Sequence, residues 1–136
     1  MLKKIKLLDN RKDSYKTAKN FLISFKYAFN GIAYVFKTSR NFKVHLIFAL
    51  LSLIIGFLLQ IGKSSYLILI VTIMSVLILE ILNTSVETIV DLVVKKEFSS
   101  LGKIAKDTSA GAVLLASANS IIVALYLFVP RIKLLF

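Results

Sequence analysis

Three stretches of the chain carry no Asp, Glu, Lys or Arg: residues 44–62, 64–79 and 108–130. About 20 predominantly apolar residues cross a bilayer as a helix, so the pattern predicts three spanning helices over 44–61, 66–94 and 108–129. The first ends at a short polar turn, Gly62-Lys63-Ser64-Ser65. The second stays apolar to Leu79, then keeps a helical period with Glu80, Asn83, Glu87 and Asp91 embedded in it. Residues 95–107 read as a charged connection, and Pro130 as the stop of the third span. Ahead of these, residues 15–37 show a different period. Leu22, Phe25, Phe29, Ile32, Ala33 and Phe36 recur at steps of three and four, with Lys19, Lys26, Asn30 and Lys37 off that stripe. This predicts an amphipathic helix lying in the membrane interface; the plainer reading is a soluble helix packed on a partner. The fold class is therefore an all-α integral membrane protein, with three transmembrane helices and an N-terminal amphipathic surface helix. The crossings use most of residues 44–130, so 1–136 reads as a single membrane domain.

Composition agrees. The chain is 57% hydrophobic and 18% charged, against roughly 45–50% and 25% in soluble domains. That excludes a soluble enzyme, and the absence of cysteine excludes a disulfide scaffold. The net charge of +11 is concentrated at one end: residues 1–43 hold eleven Lys/Arg against Asp9 and Asp13. A basic block directly before a span is what the positive-inside rule and anionic headgroups ask for. No nucleic-acid recognition motif accompanies it, so no nucleic-acid partner is expected. The first apolar run starts only at Val44 and no small-residue cleavage site follows it, which argues against a cleaved signal peptide. Lys95, Lys96, Lys103 and Lys106 put the second connection on the side of the N-terminus, and the first connection has only Lys63. The expected topology is a multi-pass protein of the cell (plasma) membrane, N-terminus cytoplasmic and C-terminus outside.

Polar residues inside a span are where chemistry is to be sought. At about 100° per residue from Glu80, Asn83 falls near −60°, Thr84 near +40°, Glu87 near −20° and Asp91 near +20°. Five polar side chains thus share one stripe, while Leu82, Val86 and Ile89 cover the opposite face. Carboxylates there are costly and are tolerated where they function or find partners. Glu80 and Glu87 are two turns apart, about 10 Å along the axis. The deeper one suits a general base at a lipid headgroup and the shallower one a hard cation such as Mg²⁺. The plainer alternative is that the stripe solvates the end of a long helix. Ala105-Lys106-Asp107 lies on the same side, where a lysine holds phosphate as a point charge and an aspartate orients it. Together these groups suggest phosphoryl transfer, which needs positioning and charge neutralisation more than covalent chemistry. Span three opens Ser109-Ala110-Gly111-Ala112, a helix-packing signal with functional meaning only near its start. Gly56 to Ser64 imitates a P-loop, but five residues separate its glycines where four are required. The lone His45 cannot build a metal site by itself.

Glu80-Ile-Leu-Asn83-Thr84-Ser-Val-Glu87-Thr-Ile-Val-Asp91, followed by Ala105-Lys106-Asp107, closely resembles the signature of the small prokaryotic diacylglycerol kinase family. Asn30-Gly31, Arg40-Asn41-Phe42-Lys43-Val44-His45 and Val129-Pro130-Arg131-Ile132 are similar to its undecaprenol kinase branch. The resemblance implies a homotrimer of three-span subunits with active sites shared between neighbours. It also implies transfer of the ATP γ-phosphate to the hydroxyl of a lipid alcohol, with Mg²⁺ as cofactor. By matching positions, Glu80 is the expected general base, Asn83 its hydrogen-bonding neighbour and Glu87 a metal ligand. Lys106 and Asp107 are expected to hold nucleotide phosphates, and Tyr27 and Glu97 to contact the nucleotide.

One position departs from the family pattern. A second metal-ligating glutamate usually stands directly before Arg-Asn; here Lys37-Thr38-Ser39-Arg40-Asn41 has Ser39. A serine hydroxyl is a neutral and weaker Mg²⁺ ligand than a carboxylate. The expectation is a kinase that needs more free Mg²⁺ than its relatives and in which Ser39→Glu lowers that need. The leading reading is an undecaprenol kinase making undecaprenyl phosphate, with diacylglycerol as the alternative acceptor. Outside that, the stripe would line a small oligomeric channel, or the chain would be a degenerate kinase-like subunit.

Overall fold

A computed structural model describes residues 21–95 and 97–134. Every regular element in them is helical: α1 (Phe21–Thr38), α2 (Arg40–Leu58), α3 (Lys63–Val93) and α4 (Ser100–Lys133). The chain divides into two units, residues 1–37 and 38–136.

In the first unit, residues 15–20 of the expected surface helix lie outside the described residues, and α1 covers the rest. Its stripe residues Leu22, Phe25, Phe29, Ile32 and Phe36 are all exposed, and Phe21 and Phe25 meet edge-to-face. A row of solvent-facing aromatics on one helix face is the feature an interfacial helix needs.

The second unit holds three helices that are long and apolar enough to cross a membrane. They run up, down and up, with α3 packed against α4 along much of its length and against α2 to a lesser extent. α3 has 31 residues, about 46 Å of helix at 1.5 Å per residue, against a hydrocarbon core of about 30 Å. The surplus lies at its C-terminal end, where the polar stripe begins.

Helix ends differ from the expected ones for local reasons. Ser39 caps α2: its hydroxyl accepts the Phe42 N–H at 3.1 Å, so the helix starts four residues before Val44. α2 then stops at Leu58, because Gln60 turns left-handed at φ 50°. The Gln60 N–H donates to the Phe57 carbonyl and the Ile61 N–H to the Gly56 carbonyl, a Schellman closure built without glycine at the left-handed position. The turn is therefore 59–62, not 62–65. α4 begins at Ser100, capped by the Ser99 hydroxyl on the Gly102 N–H at 3.2 Å. The expected connection over 95–107 is thereby corrected to 94–99, and Lys106 and Asp107 sit on a helix. Pro130 does not stop α4, which continues to Lys133. Its missing N–H deprives only the Tyr126 carbonyl, close to a helix end where carbonyls lack intrahelical partners anyway.

The two ends of the bundle are held differently. At the α2–α3 turn, Ile61, Leu69 and Leu127 form a buried cluster joined by Leu53, Tyr66, Ile73, Val123 and Phe128. There the Tyr66 hydroxyl donates to the Leu53 carbonyl at 2.6 Å. At the opposite end, around Ser39 and the start of α4, the contacts are between polar side chains.

Candidate active site

Helical phase puts Glu80, Asn83, Thr84, Glu87 and Asp91 on one side of α3, and the structure gives most of them partners from a neighbouring helix. The buried polar residues are Glu80 (2% exposed), Asn83 and Thr84. Glu87 and Asp91, further along, are exposed. Of the two carboxylates set two turns apart, Glu80 is thus buried among the helices and Glu87 is exposed.

Glu80 faces the start of α2. The Ser39 hydroxyl donates to Glu80 Oε1 at 2.8 Å while accepting the Phe42 N–H. Glu80 Oε2 is buried and has no hydrogen-bond partner. An unsatisfied carboxylate oxygen in such a place costs free energy unless a ligand supplies a donor.

Asn83 links α4 to Glu87. Its Nδ2 donates to Glu87 Oε1 at 3.2 Å, and its Oδ1 lies 2.6 Å from the Ser109 hydroxyl on α4. Ser109 also lies 2.9 Å from the Lys106 carbonyl, so one hydroxyl proton is shared between two acceptors. In sequence Ser109 belongs to a packing run, and its place at the start of that run is the signal that it does more.

Lys106 bonds to Asp91 through Nζ and Oδ1, both side chains being partly exposed. The approach depends on Gly102, where an added Cβ would stand 3.1 Å from Val90 Cγ1 and 3.3 Å from Val94 Cγ1. Without a side chain there, the first turn of α4 lies close against the end of α3. Asp91 was in the sequence stripe with no role assigned; its partner is the phosphate-binding candidate itself. Asp107 is exposed on the next position of α4, and Glu97 is exposed in the 94–99 connection. Tyr27 is half-buried on α1, in the first unit.

Among the described residues no three His, Cys, Asp or Glu side chains converge into a metal cage. Ser39, expected at the cation beside Glu87, instead has Glu80 as its carboxylate partner.

From one turn beyond Glu80, a cavity of about 550 Å³ opens among α2, α3 and α4. Its walls include Val76, Leu69, Phe48, Leu125 and Phe128, with Ser117 and Ser120 among the few polar groups.

The profile of the prokaryotic diacylglycerol kinase family matches residues 26–128. A diacylglycerol kinase of Synechocystis sp. is 42% identical over 120 residues, covering 88% of this chain and 69% of the relative. An undecaprenol kinase of Bacillus subtilis is 37% identical over 121 residues, covering 89% of this chain and 98% of the relative.

Proposed function

Since the chain belongs to the prokaryotic diacylglycerol kinase family and is a membrane lipid kinase, we propose that it transfers the γ-phosphate of ATP to the hydroxyl of undecaprenol. The observation that carries the reading is the buried Oε2 of Glu80, which has no hydrogen-bond partner, one helical turn from an apolar cavity lined by Val76 and Leu77. A polyprenol fits that combination: a long isoprenoid tail for the cavity and one terminal hydroxyl for the carboxylate. The near-complete coverage of the undecaprenol kinase relative supports the same acceptor. The diacylglycerol kinase relative, with its higher identity, supports diacylglycerol as the second reading.

In the proposed reaction the lipid hydroxyl donates to Glu80 Oε2. As its oxygen forms a bond to the γ-phosphorus, the proton passes to Glu80 and the bond to the bridging oxygen breaks, releasing ADP. Lys106 and Asp107 hold the phosphates, with Tyr27 and Glu97 as further nucleotide contacts. Glu87 would hold Mg²⁺, which would supply charge neutralisation at the transferring group. Asn83 fixes the Glu87 carboxylate through Nδ2 and is itself oriented by Ser109. On this reading ATP binds on the basic, cytoplasmic face of the membrane. The broad apolar exposure of α2, α3 and α4 leaves room for a homotrimer with shared sites as well as for lipid.

The test is purified protein with labelled ATP, Mg²⁺ and parallel panels of undecaprenol and diacylglycerol. Undecaprenyl phosphate is expected at the higher kcat/KM; a preference for diacylglycerol replaces the acceptor and leaves the chemistry. Orientation is tested separately. In this cysteine-free chain, single cysteines at positions 63 and 103 should react with an impermeant thiol reagent in intact cells only at 63.

A further inference from the structure

The hydroxyl of Ser39 makes two hydrogen bonds with different purposes. It accepts from the Phe42 N–H at 3.1 Å, which fixes it to the first turn of α2, and donates to Glu80 Oε1 at 2.8 Å. A serine at an N-cap has its backbone extended, here φ −85° and ψ 122°, and its side chain turned back over the helix end. Its single proton is then free to point outward, and in this fold it points at Glu80. Oε1 is thereby engaged, and Oε2 is left buried without a partner.

We infer that Ser39 is a positioning residue for the reaction, holding Glu80 in the rotamer that presents Oε2 to the acceptor hydroxyl. The inference rests on the reading of Glu80 as the base. A carboxylate with two free oxygens in a 2%-exposed site has several ways to turn. One with Oε1 tied to a capping hydroxyl keeps a single orientation, and a proton acceptor is effective only when it is held within reach of its proton. The role belongs to this chain's serine specifically: a carboxylate at position 39 has no proton to give Oε1 and would set a second negative charge against Glu80. The inference is the opposite of the expectation from the family pattern, in which Ser39→Glu restores a metal ligand and helps.

The experiment compares wild type, Ser39→Gly, Ser39→Thr, Ser39→Glu and Glu80→Gln. Glycine removes the hydroxyl yet is a good N-cap, so the helix start is retained; threonine keeps both the cap and the proton. Steady-state rates are measured against ATP, free Mg²⁺ and two acceptors, a prenyl alcohol and a fluorinated analogue with a more acidic hydroxyl. For Ser39→Gly, kcat is expected to fall by about 10- to 100-fold, the scale of one hydrogen bond to a charged group. Its ATP KM and its Mg²⁺ requirement should stay at wild-type values. The defect should shrink on the acidic acceptor, which needs its base less; a merely structural role would lower both acceptors' rates alike. Threonine should recover most of the loss, and Ser39→Glu should be slower than wild type at every Mg²⁺ concentration. Full activity of Ser39→Gly with Glu80→Gln inactive overturns this inference alone. Full activity of Glu80→Gln overturns the base assignment beneath it. A gain in Ser39→Glu at low Mg²⁺ returns position 39 to the metal and also overturns the proposal.

Discussion

The two ends of the three-helix unit solve the same packing problem with opposite materials. At the α2–α3 turn, Ile61, Leu69 and Leu127 are buried against apolar neighbours, and one hydrogen bond, from Tyr66 to the Leu53 carbonyl, joins the helices. At the other end polar side chains join the helices: Ser39 to Glu80, Ser109 to Asn83, Lys106 to Asp91. In lipid, apolar side chains gain little by leaving the acyl chains for one another, so close packing and hydrogen bonds set helix register. The apolar end relies on fit, with Gly56 letting Ile61 fold over the end of α2. The polar end relies on a hydrogen-bonded network in which, among the described residues, Glu80 Oε2 is the buried side-chain atom without a partner. On the proposed reading that oxygen meets the acceptor hydroxyl. Changes at the polar end should therefore register in turnover and binding, and changes at the apolar end in stability.

The sharpest test of that division is Glu80→Gln. It is nearly isosteric and can still accept the Ser39 proton through its amide oxygen, so the helix contact survives. The group facing the acceptor then no longer takes a proton. Turnover should fall by about 10²–10⁴, the usual worth of a positioned base, with ATP affinity little changed. Initial-rate kinetics on folded, monodisperse protein are the check, and near-normal turnover would remove Glu80 from the chemistry.

Much of this division is legible in the sequence alone. Charge-free runs locate the three helices, because only an apolar face survives contact with lipid, and a 100° period gathers Glu80, Asn83, Glu87 and Asp91 onto one stripe whatever the rest of the fold does. Less readable was everything decided between helices. At Ser39 a family pattern records a serine where a carboxylate usually stands, and not that its hydroxyl meets Glu80. Ser109 looked like packing material, because its polar role exists only where Asn83 lies opposite. The start of α4 was misplaced by eight residues: Lys103, Lys106 and Asp107 suggest a loop by charge, although charged residues are ordinary on a helix that has left the hydrocarbon. Pro130 was read as a stop by its usual effect, which is weak in a last turn.

The comparison can be attacked next from the apolar side. A Cβ at Gly56 would meet Ile61 Cδ1 at 3.0 Å and Leu69 Cδ2 at 3.4 Å. Ile61 Cδ1 is the far end of a flexible side chain, so Gly56→Ala should be close to neutral, helped by the better helix propensity of alanine. Gly56→Leu has no such relief and should destabilise the protein by about 1–3 kcal/mol, the usual cost of overpacking. Thermal unfolding in micelles would show this, while kcat per folded molecule should hold at the wild-type value. A large fall in kcat with unchanged stability would mean that the two ends are coupled and that the division is wrong.

The smallest effect is expected at Asp91→Asn. Asp91 and Lys106 form an ion pair whose side chains are 58% and 37% exposed. Exposed pairs are worth roughly 0–1 kcal/mol, so losing this one should leave stability almost unchanged. Its consequence lies in what Lys106 does next. If Lys106 binds nucleotide phosphate, Asp91 competes for the same ammonium and adds negative charge near an incoming polyanion. Neutralising Asp91 should therefore lower the KM for ATP, by no more than about fivefold given the size of such pairs, with kcat unchanged. Lys106→Ala should move KM the opposite way. Added salt should narrow the gap between Asp91→Asn and wild type, because exposed charges are screened within about a Debye length. A KM that rises in Asp91→Asn would instead mean that the aspartate holds the lysine in its working position, and the pair would then count as part of the phosphate site and not as its competitor.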